Sequence, residues 1–446
     1  MQRFLFFTLA TASLLATPNA YVGHIAGNQI DSIDTATNTL NAPITVGNNP
    51  EFLAVSPDGS TIYVANAGDG TVDIVDATLM TPMSVATIPV GVGPQYITIS
   101  PDDTTVYVCN TGGTTVSWFD RSIPPVMSGT ISTGGGSPNF IAFSPDGATG
   151  YIIDRTVAAV IPFSTATKTA APRIVLPVGS TPISLIISLD GSKGYVTEST
   201  SNQVEVIHFT MGNMLTPVAM YAGTTPQLMA MTPDGTKIVV GDSGSSSVSV
   251  INTGTDTAAA PIVIGGSPFD VVITSDGSTA FISNFGGSNI TALNLGNNST
   301  TSIMTGAGPN YMAITPDGSK LFVSTFGALS TTVVNIPAYT TATIAGVGAM
   351  SLWIEILPSN AAPSPPPHGS PGIEKPKCFP YAIGADQHPD LVCSNWRYAC
   401  QLPYLHERCP HKSSSNHPLY GLFTVRRSQH RQTRDDRLLC RGSKLL

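Results

Sequence analysis

Residues 52–75 read FLAVSPDGSTIYVANAGDGTVDIV. An apolar run at 52–55 meets the turn Ser56-Pro57-Asp58-Gly59. Pro presets φ near −65° at the second turn position, Asp suits the third, and Gly closes the turn. A second apolar run follows at 62–65, then an acidic, Gly-rich loop at 66–69, then a third run at 72–75. Short runs separated by turn residues are the mark of antiparallel strands.

The stretch recurs. The same turn stands at Ser100-Pro101-Asp102-Asp103, Ser144-Pro145-Asp146-Gly147, Ser188-Leu189-Asp190-Gly191 and Thr232-Pro233-Asp234-Gly235. It returns at Thr274-Ser275-Asp276-Gly277 and Thr315-Pro316-Asp317-Gly318, with spacings of 44, 44, 44, 44, 42 and 41 residues. Each unit adds a weaker fourth run, as at 85–88 or 262–264. A Gly-rich link then ends in Pro50, Pro94, Pro138, Pro182, Pro226, Pro268 or Pro309. Four antiparallel strands per unit at this period predict an all-β fold, a β-propeller of four-stranded blades. A lone four-stranded sheet cannot bury both faces, and radial stacking lets each blade cover its neighbours.

The chain ends supply one more unit. Runs at 21–26, 30–34 and 42–46 resemble strands two to four of a blade without its first strand. The run at 351–357 resembles a first strand with nothing after it. Joined, they predict a composite closing blade and eight blades in all. Seven blades is the alternative, because Ala349 replaces the usual Pro and no turn motif follows.

Charged residues make up only 11% of the 446, with 42 Gly and 36 Pro, which suits many short strands and turns. Residues 1–358 hold 8 Lys/Arg against 22 Asp/Glu, whereas 359–446 hold 12 against 6. An acidic body repels a polyanion, so nucleic acid is not an expected partner. Residues 1–20 read as a signal peptide, with Arg3 before an apolar stretch at 4–16 and cleavage expected after Ala20. That stretch is too short to span a membrane, and no second one appears, so the mature chain is expected to lack a transmembrane segment. A secreted, periplasmic or cell-surface location follows from the leader.

Within the repeat, Tyr63-Val64-Ala65-Asn66, Tyr107-Val108-Cys109-Asn110 and Tyr195-Val196-Thr197-Glu198 resemble the Y-V-T-N signature of the YVTN-family bacterial β-propeller repeats. Asp34-Thr35-Ala36-Thr37-Asn38-Thr39 resembles that family's turn between third and fourth strands. The resemblance covers about residues 21–357. It implies cell-surface or periplasmic binding roles, similar to secreted and surface-layer propellers, and carries no shared set of catalytic residues. Some units depart from the signature, as in Tyr151-Ile152-Ile153-Asp154.

Candidate chemistry is sparse. His24 and His208 are the only His of the repeat region, too few for a haem or copper propeller, and no cofactor is expected. The turn Asp residues have a complete explanation as turn chemistry. The 66–69 loops lack the alternating carboxylates of a calcium loop, so no metal site is expected. No nucleophile elbow or phosphate loop is present, and Cys109 reads as a small buried strand residue. The positions after the linker Pro are the candidate ligand site: Glu51, Gln95, Asn139, Gln227 and Asn310, with Ile183 and Phe269 completing the ring. First strands of blades line the central channel, so these residues should rim one mouth of it, where a rigid scaffold positions ligand contacts. The expected function is a binding scaffold for an extracellular or cell-surface protein, peptide or glycan. The alternative is a lactonase- or lyase-like propeller enzyme working at the channel mouth.

Residues 358–367 form a Pro-rich linker. The tail at 368–446 holds five of six Cys and six of eight His and shows no strand or helix period. It reads as disordered, or as the product of a shifted reading frame. A one-nucleotide shift over 389–405 can encode an alternating strand pattern with a Trp, resembling a fibronectin type III opening.

Overall fold

The computed structural model describes residues 19–356 apart from 26, 80, 122–126, 221–224 and 349–350, and of 351–352 the backbone alone. The expected leader before Asn19, the linker at 358–367 and the tail at 368–446 lie outside the described residues.

The quoted stretch folds as read. Its strands are Pro50–Val55, Thr61–Asn66 and Thr71–Asp76, with Met83–Pro89 as the fourth, paired antiparallel in chain order. The turn closes as its residues dictate. The Ser56 hydroxyl donates to Asp58 Oδ1 at 2.5 Å, and the same oxygen accepts the Ser60 N–H at 3.0 Å. Gly59 sits at φ 69°, the left-handed region where a Cβ is penalised. The next six units repeat the sheet at residues 94–132, 138–175, 182–219, 226–263, 268–304 and 309–345, here blades 2 to 7 after blade 1 at 50–89.

The ends close the ring as an eighth, composite blade. Asn19–His24 pairs with Gln29–Asp34 on one side and with Ser351–Ile356 on the other. The count is therefore eight, and the seven-bladed alternative is set aside. The irregular last link does not matter, because Ser351–Ile356 needs no turn of its own and finds its partner at the other end of the chain. One boundary differs from the reading. The closing strand begins at Asn19, and Ala20, fully buried, pairs with Ile356. Cleavage after Ala20 would take two residues from that strand and leave Tyr21–His24.

Second and third strands are buried on both faces, while fourth strands alternate and are the most broken, as at Ile174–Val175. The core is a set of sandwiches between neighbouring blades. Leu53 and Val55 pack on Tyr21, Ile30 and Val46 of the composite blade, while Phe52 and Ala54 pack toward Ile97 and Val106 of blade 2. Polar latches tie blades at the turn end of the sheets. Lys193 Nζ reaches Asp256 Oδ2 of the next blade at 2.7 Å, and Lys237 Nζ reaches the Leu295 carbonyl at 2.6 Å. Cys109 is buried, as expected.

Candidate binding site on the inner strands

Each first strand touches the first strand of the next blade, from Pro50–Val55 around to Ser351–Ile356 and back to Pro50–Val55. Eight such strands line the axis. Every one shows a register shift at its start, for example between Pro50 and Phe52 or between Pro309 and Met312. A bulge opposes two residues to one and re-aims side chains locally. The residue after the linker Pro and the one following it are therefore both set toward the axis.

That second position was missed from sequence. It reads Phe52, Tyr96, Phe140, Ser184, Leu228, Asp270, Tyr311 and Trp353 around the ring. Five consecutive blades supply an aromatic arc. Tyr311 and Trp353 lie 4.4 Å apart, Trp353 and Phe52 3.6 Å, Phe52 and Tyr96 4.7 Å, and Tyr96 and Phe140 4.7 Å between ring centroids. Phe269 extends it at 5.3 Å from Tyr311. Ser184, Leu228 and Asp270 face the arc from the other three blades. The aromatic column was legible in the repeat, but strand alternation counted from the Pro assigns it to the core. The bulge breaks that count.

The eight inner strands carry three charged residues, Glu51, Asp270 and Glu355, and no Lys, Arg or His. Burial pushes the Glu355 carboxyl up to about 7, tempered by the Trp353 indole N–H at 2.9 Å from Oε2. Burial likewise pushes Asp270 up to about 7, although its Oδ2 accepts the Met312 N–H at 2.9 Å. Glu51 is raised by burial and held back by a hydrogen bond from Gln95. Tyr311 is raised by burial and by the charges of Asp270 and Glu51. Tyr96, Tyr311 and Glu355 keep partial contact with solvent while being walled in by protein, the condition of groups lining a narrow channel. Low local dielectric strengthens any charge they meet.

The residues expected at the rim are distributed unequally. Gln95 is exposed, and Glu51, Asn139 and Gln227 are half-buried. Asn139 Oδ1 is buried without a hydrogen-bond partner. Gln227 Nε2 is used locally, donating to the Thr225 carbonyl and Ser243 Oγ at 3.2 Å each. Asn310 is only 3% exposed and offers little to a ligand. Among the described residues, no three His, Cys, Asp or Glu converge as a metal cluster. His24 binds the buried Asp31 at 2.8 Å, and His208 contacts Thr216. No helix among the described residues is long and apolar enough to cross a membrane.

A second ring lies where second strands end. Its residues are His24, Asn66, Asn110, Asp154, Glu198, Asp242, Asn284 and Thr325, all at most 2% exposed. Two of them, Asn110 and Asp154, hold the link from the preceding blade. The Gly91 N–H donates to Asn110 Oδ1 at 3.0 Å, and the Ser137 N–H to Asp154 Oδ1 at 2.8 Å. Burial pushes Asp242 up to about 7.

The profile of the YNCE-like β-propeller family matches residues 48–355. The chain belongs to the YNCE-like β-propellers. The YVTN-like reading of the repeat agrees with that family. No curated protein matches closely enough to count as a relative. Solved structures similar to this propeller include dihydro-haem d1 dehydrogenase NirN, at 15% identity over 77% of this chain and 76% of that one, with a TM-score of 0.65. Kuenenia stuttgartiensis hydrazine synthase follows at 22% identity, 68% and 99% coverage and 0.52. The periplasmic gluconolactonase PpgL of Pseudomonas aeruginosa matches at 14%, 77% and 99% coverage and 0.51. At these identities the likeness is one of fold.

Proposed function

We propose that this propeller is an extracytoplasmic binding scaffold whose ligand enters the inner ring past Glu51, Gln95 and Asn139 and presents a positively charged group to the aromatic arc. The observation that carries this is the composition of the inner strands: an aromatic arc from five consecutive blades, three carboxylates and no basic side chain. Aromatic faces attract cations within about 6 Å, and a carboxylate beside them adds charge complementarity. A protein or peptide segment with an exposed Lys or Arg fits better than a neutral glycan, and an anionic ligand is repelled. The leader-like residues 1–20 support a location outside the cytoplasm.

A second reading, a lactonase- or lyase-like enzyme, draws on Asp270 and Glu355. Carboxyls raised to about 7 can both give and take a proton at neutral pH. PpgL, a gluconolactonase by name, shares the fold. The inner strands offer no basic group to hold a sugar acid, so binding is preferred.

Short peptides carrying one Arg or Lys, neutral oligosaccharides and acidic peptides are titrated against the purified chain by calorimetry. The basic peptides should saturate, and Glu355→Gln should weaken them about tenfold or more, as expected for loss of a desolvated charge partner. Saturation by the acidic peptides, or equal affinity in the variant, contradicts the proposal.

A further inference from the structure

Blade 4 departs from its neighbours at the second ring. Glu198 and Glu205 lie on one face of adjacent strands, and both are at most 1% exposed. Gln203 Nε2 donates to Glu198 Oε2 at 2.9 Å and to Glu205 Oε2 at 3.0 Å. Ser201 Oγ donates to the same Glu198 Oε2 at 2.7 Å. Glu198 Oε1 is buried with no partner at all. Among the described residues, no Lys, Arg or His is hydrogen-bonded to either carboxylate. Other blades leave an oxygen of this residue unpartnered, but none sets a second carboxylate beside it. Asp242 meets Ser249, Asn66 meets Asp73 and Asn284 meets Thr291. Two buried carboxylates without a counter-charge are strongly disfavoured.

The link above them also differs. Its start is fixed by the Leu176 N–H on the Ala158 carbonyl, and its end by the Ser199 N–H on the Thr181 carbonyl. Between these anchors Pro182 follows Leu176 by six positions, where Pro50 follows Val46 and Pro94 follows Val90 by four. A Cβ on Gly47 would stand 2.7 Å from Asn66 Cγ, so that link presses on its ring residue. A Cβ on Gly179 would meet nothing within 4 Å, and Val178 is fully exposed. The link of blade 4 bows away, and no backbone N–H of it caps Glu198.

We infer that Glu198 and Glu205, beneath the bowed link 176–181, form a binding site for a calcium ion. Calcium takes only oxygen ligands, tolerates irregular geometry and mixes carboxylates with amide and backbone carbonyls. Glu198, Glu205 and the Gln203 amide oxygen, with its assignment reversed, supply such donors, and water completes the shell as calcium sites allow. No calcium-loop pattern marks this site, because the two carboxylates come from different strands. Magnesium, which demands a tight octahedron, suits the site less well.

The test uses the full chain, stripped with chelator and then returned to calcium or magnesium. Bound calcium is counted by equilibrium dialysis, and melting is followed by circular dichroism. The wild type should bind calcium and melt several degrees higher with it than without it, with a smaller response to magnesium. Glu198→Gln with Glu205→Gln should abolish the calcium response. Should that pair fail to fold, deletion of Val178 and Gly179 restores the four-position spacing and should abolish the response equally. No calcium bound by the wild type at millimolar concentration, an undiminished response in a folded variant, or a magnesium response as large as that to calcium overturns the assignment.

Discussion

Glu355 shows how far one residue's role depends on its neighbours. In sequence it is an unremarked Glu between two Ile in the last strand. In the ring it stands two positions beyond Trp353, on the same strand face, with Ala54 and Ala313 at the matching positions of the flanking blades. Small neighbours leave its carboxyl room in a low-dielectric channel, and its proton is held to about 7. Asp242 and Asp270 behave alike. An unfolded carboxyl titrates near 4, so between about pH 4 and 7 the folded chain binds more protons than the unfolded one. Stability contributed by these groups therefore falls as pH rises through that window and levels off above 7. The turn residues Asp146, Asp190, Asp234, Asp276 and Asp317 act oppositely. Hydrogen bonds from the preceding Ser or Thr hydroxyl and from a following backbone N–H lower them, and their contribution is lost only in stronger acid. Calorimetry in chelator should find the melting temperature highest near pH 4–5 and lower at 7, with Glu355→Gln flattening the decline. A melting temperature that climbs from pH 5 to 7.5 contradicts these assignments.

At the scale of the element, the repeat was almost wholly legible, because each turn carries its own chemistry and each apolar run its own strand. The links were not. Their Pro marks the next strand, but the bulge that follows it depends on how inner strands crowd around an axis, which no single unit encodes. The aromatic arc and the two carboxylates beyond it were missed for that reason. The five amide and carboxylate residues expected at the mouth were found on the inner strands, although Asn310 is buried there. Link glycines matter where they press on the second ring. Gly47 has an ordinary φ, yet an added Cβ would crowd Asn66 Cγ at 2.7 Å and Asp69 Oδ2 at 2.8 Å. Gly27 has open space around it. Gly47→Ala should cost about 1–3 kcal/mol as overpacking does, and Gly27→Ala should stay within about 0.5 kcal/mol. Denaturant titration of both variants checks this, and equal stabilities would show that the link does not bear on Asn66.

The whole molecule depends on joining its two ends. A propeller left open exposes two sheet edges and splits its inner ring. Closure here is made by Asn19–His24 beside Ser351–Ile356, with Tyr21 facing Glu355 and Val22 facing Ile354. The same junction brings Trp353 against Phe52 and completes the aromatic arc, so the fold and the proposed site share one dependency. Both halves of the junction were readable in sequence as strands without a partner, and the arithmetic of the blade showed that they belong together. Hydrogen–deuterium exchange of the full chain, resolved by peptide, tests this most directly. Peptides covering 19–24 and 351–356 should be protected to the same degree as those covering 50–55 and 61–66 of blade 1. Exchange of the terminal strands as fast as that of the exposed turns would contradict closure of the ring, and with it the placement of Trp353 in the arc.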